Sequence, residues 1–207
     1  IWLLENIHSE YYMFSDQDDI WLPHKIESTY LKMLEMESVN PTTPILVHTD
    51  LAIADEDGFV VKGSRYKYDK LYPDWLDKLN WFIVSYRICG NTIMLNDKAK
   101  VVALPFDDRI YMHDWWVVLM TLKMGGVVCN LKKSTILYRQ HRQQVVGLKS
   151  FNSIEKKEDG KISNFLIRLK GNFYQYSLLN EWVGISFSNY IFHKLVFWIY
   201  RLLEKRG

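Results

Sequence analysis

The stretch FSDQDDIWLPHKIE, residues 14–27, decides how this chain is read. To its left, residues 11–14 form a short aromatic run that suits a buried strand ending in a polar loop. To its right, Pro23 stands where a first helical turn favours proline. HKIESTYLKMLEME then places Ile26, Tyr30, Met33 and Leu34 on one face of a helix. A strand, an acidic loop and a helix in succession open an α/β unit, and strand ends in such sheets are where ligands bind.

Inside the stretch, Asp16 and Asp18 are two residues apart. If strand geometry persists, both carboxylates point to one side, roughly 6–7 Å apart. That pattern suits a hard divalent cation, Mg²⁺ or Mn²⁺, which takes oxygen ligands and leaves positions for substrate phosphates. The plainer reading is that Asp16, Asp18 and Asp19 end the strand and cap the helix. One Asp would serve that purpose, and three in four positions repel one another without a cation.

Outward from this stretch, strands and helices alternate. Residues 1–10 read as the end of a helix, so the chain is expected to begin inside a domain. Residues 45–54 and 59–61 are strand-like around an Asp57-Gly58 turn, and a helix is expected around 74–81. Residues 91–95 read as a strand, 97–104 as a short helix ended by Pro105, and 113–124 as a helix stopped by Gly125-Gly126. Strands at 127–130 and 135–138 precede a polar loop at 140–147, and the pattern is helical from Ser163 onward. The expected class is α/β, with one domain over 1–150 and a helical extension over 151–207.

Composition narrows the function. With 48% hydrophobic residues in 207, the chain can bury a sizeable core. A net charge of +2 without a concentrated basic face argues against nucleic acid as a partner. Cys89 and Cys129 each lie in an apolar run and read as thiols in a reducing compartment. Residues 190–203 (YIFHKLVFWIYRLL) are apolar but too short and too charged to span a bilayer. A helix lying on an anionic membrane surface and a helix packing on a protein are both open there.

The quoted stretch resembles the signature of bacterial family 2 glycosyltransferases with the GT-A fold, in their rhamnosyltransferase-like branch. Further matches follow in the family's order: VHTDL (47–51), CGNTIMLN (89–96), MHDWW (112–116), TILYRQH (135–141) and VVG (145–147). The resemblance implies a GT-A-like nucleotide-diphospho-sugar transferase fold, incomplete for want of its first strands. It implies an inverting transfer of a sugar, favoured as rhamnose, from a nucleoside-diphosphate donor such as dTDP-rhamnose or a UDP-sugar. The acceptor would be a glycan or lipid-linked glycan in surface polysaccharide synthesis, and the setting the cytoplasm or the inner face of the plasma membrane.

By the same resemblance, Asp18 would be the direct metal ligand, Asp16 would serve ribose or metal-bound water, and His141 would complete the metal shell. Asp114 would be the general base that accepts the acceptor hydroxyl's proton. Trp115 and Trp116 would desolvate it and, with Trp21, offer platforms for an acceptor ring. Arg139 would meet a phosphate through its planar fork, and Gly90 and Asn91 would let backbone approach the donor sugar. A helix cap at Asp114, a surface loop at His141 and a tight turn at Gly90 are the plainer alternatives. His48 and Asp50 alternate on one strand and read first as a hydrogen-bonded structural pair, second as a border of the acceptor site.

One departure stands out. Relatives commonly carry Gly and Asn soon after this His, whereas this chain has Arg142, Gln143 and Gln144. Two rival readings remain: a non-catalytic carbohydrate-binding relative and a metal-dependent phosphohydrolase acting on nucleotide sugars.

Overall fold

The computed structural model describes residues 2–71, 73–85, 87–110, 112–141 and 174–204. The chain divides into two units, Ile1–His141 and Arg142–Gly207. The expected boundary at 150/151, residues 142–147 of the polar loop expected at 140–147, and residues 163–173 of the expected helical pattern lie outside the described residues.

In the first unit the elements run α1 (Trp2–Asn6), β1 (Tyr11–Met13), β2 (Ile20–Trp21), α2 (Lys25–Val39), β3 (Ile45–Ala54) and β4 (Val60–Lys62). They continue as α3 (Arg65–Tyr68), α4 (Pro73–Leu76), α5 (Leu79–Ser85), a 3-10 turn (Gly90–Thr92), β5 (Ile93–Asn96), α6 (Asp97–Ala103), α7 (His113–Lys123) and β6 (Val127–Arg139). The strands make one mixed sheet in the order β1-β5-β3-β6-β2, with β4 pairing on β3. The β3–β6 pair is parallel and the other pairs are antiparallel. The protein is therefore mixed α/β.

All ten residues of β3 are buried, as befits a central strand covered on both faces. On one face Met33 of α2 packs with Ile45, Val47 and Met94. This contact corrects the expected phase of α2. Its buried residues are Lys25, Thr29 and Met33, whereas Ile26 is 58% exposed and Tyr30 and Leu34 are each 38% exposed. The helix is rotated by about one residue, roughly 100°, from its most apolar side. A polar anchor outside the helix helps fix that phase, because Lys25 Nζ donates to the Asn91 carbonyl at 2.9 Å, while the Thr29 hydroxyl is satisfied within the helix by the Lys25 carbonyl at 2.7 Å. Pro23 lies in the turn before the helix rather than inside its first turn.

Other expectations are refined. The helix around 74–81 is two short helices, α4 and α5. The two strands expected at 127–130 and 135–138 are one strand, β6, with Lys132 at φ 52. Its register against β3 shifts between His48 and Asp50 and again between Asp50 and Ala52. The glycine stop after α7 holds. A Cβ on Gly126 would lie 2.6 Å from the Pro44 carbonyl oxygen and 2.7 Å from that of Thr121, so only glycine lets the chain turn into β6 there.

In the second unit a helix over 174–183, α8, precedes α9 (Phe187–Glu204). Tyr190 is buried between them, with its hydroxyl donating to Gln175 at 3.3 Å.

Candidate functional site

The acidic loop runs between two strands, one of which the sequence did not announce. β1 ends at Met13, β2 starts at Ile20, and residues 17 and 18 form a turn between them. Strand alternation therefore does not set the relation between Asp16 and Asp18, as the spacing had suggested. The decisive element is β2, whose Ile20 and Trp21 pair with Leu137 and Ile136 of β6. That pairing lays the loop beside the last residues of β6. Arg139 Nε donates to the Asp18 carbonyl at 2.9 Å, and His141 Nε2 lies 3.0 Å from Asp18 Oδ2. Arg139 thus meets the backbone of the acidic loop, and His141 joins Asp18 across 123 residues of sequence.

Asp19 turns the other way. Its carboxylate accepts from the Asn91 side-chain amide, and the Asn91 carbonyl accepts from Lys25 Nζ at 2.9 Å. The preceding residue in the same turn, Gly90, donates its N–H to Asp114 Oδ2 at 2.9 Å. Asp114 is 4% exposed, and its Oδ1 takes the Trp115 N–H at 2.7 Å. Its place is inside the first turn of α7, whose N-cap is Met112, so Asp114 is not the capping residue. Phe14 meets His113 edge-on at 4.7 Å, which seats the start of α7 against the acidic loop. The segments around 14–19, 90–91, 113–114 and 139–141 thus form one cluster.

Its electrostatics follow from that crowding. Asp19 is pushed up to about 6, first by burial and then by Asp16 and Asp18, while the Asn91 bond pulls the other way. Asp16 is exposed as a residue, yet atoms packed against its carboxyl desolvate it. That desolvation, then the charges of Asp18 and Asp114, raises it above the usual carboxylate range, with His113 opposing. Lys25 is fully buried and pushed down to about 8 by that burial, with the charge of Asp19 acting against the shift. Two carboxylates, Asp16 and Asp19, that resist ionising beside Asp18 favour a cation or a donor-rich ligand next to them.

Among the described residues, no three His, Cys, Asp or Glu side chains converge as ligands for a metal ion. The pair that does converge is Asp18 with His141. A cation such as Mg²⁺ is held by one or two carboxylates and completes its shell with water and substrate phosphates. One carboxylate oxygen from Asp18 and one imidazole nitrogen from His141 fit an open cation site completed by other oxygen donors, and they do not fit a closed structural site. Asp19 Oδ1 and Asn91 Oδ1 are buried acceptors without a donor, and Trp21 Nε1 is a buried donor without an acceptor. Buried polar atoms left open in this way mark a place where a ligand or water completes the bonding.

The three tryptophans are placed differently. Trp116 is 5% exposed and its indole N–H donates to the Ala103 carbonyl at 2.8 Å, so it packs α7 on α6 and offers no ring to solvent. Trp115 is half-buried and stacks on Phe82 with ring centroids 6.5 Å apart. Trp21 is half-buried beneath the Lys25 ammonium, 4.7 Å from its ring centroid. His48 and Asp50 are buried and structural. His48 bonds Tyr66 and Asp77 at 2.8 and 2.9 Å, while Asp50 accepts from Ser64 and from the Arg65 and Tyr66 N–H groups. Together they tie α3 and the α4 end to β3. Both cysteines are free thiols.

No family model matches the chain, and neither does any curated protein. The sequence reading counted Asp19 in the acidic cluster without giving it a ligand or partner of its own, and it passed over Lys25. The signal for Lys25 was there, because it stands four and eight residues before Thr29 and Met33 and so shares their buried helix face.

Proposed function

We infer that this chain acts as a metal-dependent, inverting glycosyltransferase with a GT-A-like fold, using a nucleoside-diphosphate sugar. Rhamnose is the favoured sugar, and the acceptor is a glycan or lipid-linked glycan hydroxyl. The observation that carries the reading is the convergence of Asp18 and His141, beside a second carboxylate, Asp114, that backbone donors hold in place.

Asp18 and His141 would hold Mg²⁺ or Mn²⁺, which supplies charge neutralisation for the leaving diphosphate. Arg139, fixed by its bond to the Asp18 carbonyl, adds positive charge on the same side. Asp114 accepts the proton of the attacking hydroxyl. Each of its oxygens takes one backbone N–H and keeps lone-pair capacity for that proton. The two backbone bonds restrict the carboxylate to one orientation, which an in-line attack on the anomeric carbon requires.

Calorimetric titration of dTDP-rhamnose and UDP-sugars, with and without Mn²⁺, tests the reading. Metal-dependent binding of one donor that Asp18→Asn weakens, together with transfer that Asp114→Asn abolishes without loss of binding, is the expected result. Donor binding without transfer in the wild type would assign the chain to carbohydrate binding, and phosphate release without transfer to a phosphohydrolase. Substantial transfer by Asp114→Asn would remove the base assignment.

A further inference from the structure

We propose that α9 is an interfacial helix that lies in the plane of an anionic lipid surface. The inference is independent of the transferase reading.

α9 is an 18-residue helix, roughly 27 Å long at the standard rise. Phe192, Leu195, Trp198, Ile199, Leu202 and Leu203 are between 41% and 64% exposed. At 100° per residue they cover an arc of about 140°. The opposite side is already used. Tyr190 is 1% exposed, and the Tyr176 ring of α8 packs on it with centroids 5.5 Å apart, while Phe187, 53% exposed at the border of the arc, meets Tyr176 at 5.1 Å. A water-facing helix normally turns its polar arc outward, and here the outward arc is the apolar one.

Charge selects the occupant. α9 carries a single acidic residue, Glu204 at its last position, against Lys194 and Arg201 with His193 beside them, and the Lys194 ammonium lies 4.8 Å over the Tyr190 ring. Lys194 and Arg201 are seven residues apart and therefore lie along one line of the helix, at the border of the apolar arc next to Trp198. Cations along the border of an apolar arc, with an indole beside them, are the arrangement that seats a helix at the headgroup boundary of anionic lipids. Among the described residues no helix is long and apolar enough to cross a membrane, so the contact is with one face of the bilayer. A second copy of this chain fits less well, because a paired-helix seam needs a narrower stripe than this arc, and two like-charged helices would oppose each other.

Co-sedimentation of the whole chain with vesicles tests this. Phosphatidylglycerol–phosphatidylcholine vesicles should retain the protein, and pure phosphatidylcholine vesicles should retain at least about tenfold less. Added salt should weaken retention. The variant Leu195→Glu/Trp198→Glu changes two exposed positions and should keep the wild-type circular dichroism while losing retention by at least about tenfold. Retention of this variant equal to wild type, or no retention of the wild type on anionic vesicles, overturns the proposal. A wild-type dimer in sedimentation equilibrium that the double variant dissolves also overturns it and assigns the face to a second copy.

Discussion

The N–H of Gly90 donates to the carboxylate of Asp114 at 2.9 Å. The next residue, Asn91, gives its amide to Asp19 and its carbonyl to Lys25. One short turn therefore sets the distance between the acidic loop and the carboxylate proposed as base. Small changes in that turn should be felt in transfer more than in folding.

Gly90→Ala is the smallest such change. Its Cβ would stand 3.2 Å from Asp114 Cβ and 3.4 Å from both Asp114 Oδ2 and His113 Nε2. These contacts are tight but survivable, so a stability loss of about 1 kcal/mol is expected. Transfer should fall by about tenfold or more, because a carboxylate moved by part of an ångström no longer meets the hydroxyl. Denaturant midpoints beside kcat would separate the two effects.

Asn91→Ala removes the donor to Asp19 and leaves a partly buried carboxylate with neither oxygen bonded by that turn. A cost of about 1–3 kcal/mol follows from an unsatisfied buried acceptor. Thermal unfolding of this variant against wild type checks it, and an unchanged midpoint would show that the Asn91–Asp19 bond contributes nothing.

Lys25 makes stability depend on pH in a predictable direction. Its native value is pushed down to about 8, below the ordinary lysine value near 10.5. Between those two values the unfolded chain binds a proton that the native protein does not, so stability rises with pH across that window. The rise attributable to this group is at most about 3 kcal/mol. Lys25→Met keeps the stem and removes the titration. Urea unfolding near neutral and near alkaline pH should show a smaller rise for Lys25→Met than for wild type.

His141→Ala should lower Mn²⁺ affinity by at least about tenfold in the presence of donor nucleotide, with the fold intact. Calorimetry on the variant is the check, and equal affinity would leave the Asp18–His141 contact as a plain ion pair.

Much of this was legible along the chain, where local rules govern. The ten residues of β3, the glycine stop after α7 and the burst of Asp before α2 are short-range patterns. Neighbouring side chains and backbone dihedrals determine such features. Two expectations failed for one reason, which is that each depended on a distant partner. The relation between Asp16 and Asp18 is set by β2 pairing with β6, more than a hundred residues away. The phase of α2 is set by Lys25 reaching Asn91 and Met33 entering the sheet core, against the pull of Ile26, Tyr30 and Leu34.

By itself the sequence determined which residue types were available for chemistry: the carboxylates at 16, 18, 19 and 114, and the imidazole at 141. It also set the alternation that makes the chain α/β. Only the tertiary structure decided that Asp18 meets His141, that Asp19 meets Asn91, and that Trp116 is packing rather than platform. Those outcomes turn on sheet register and on which buried groups find partners, and both are settled by contacts between segments far apart in the chain.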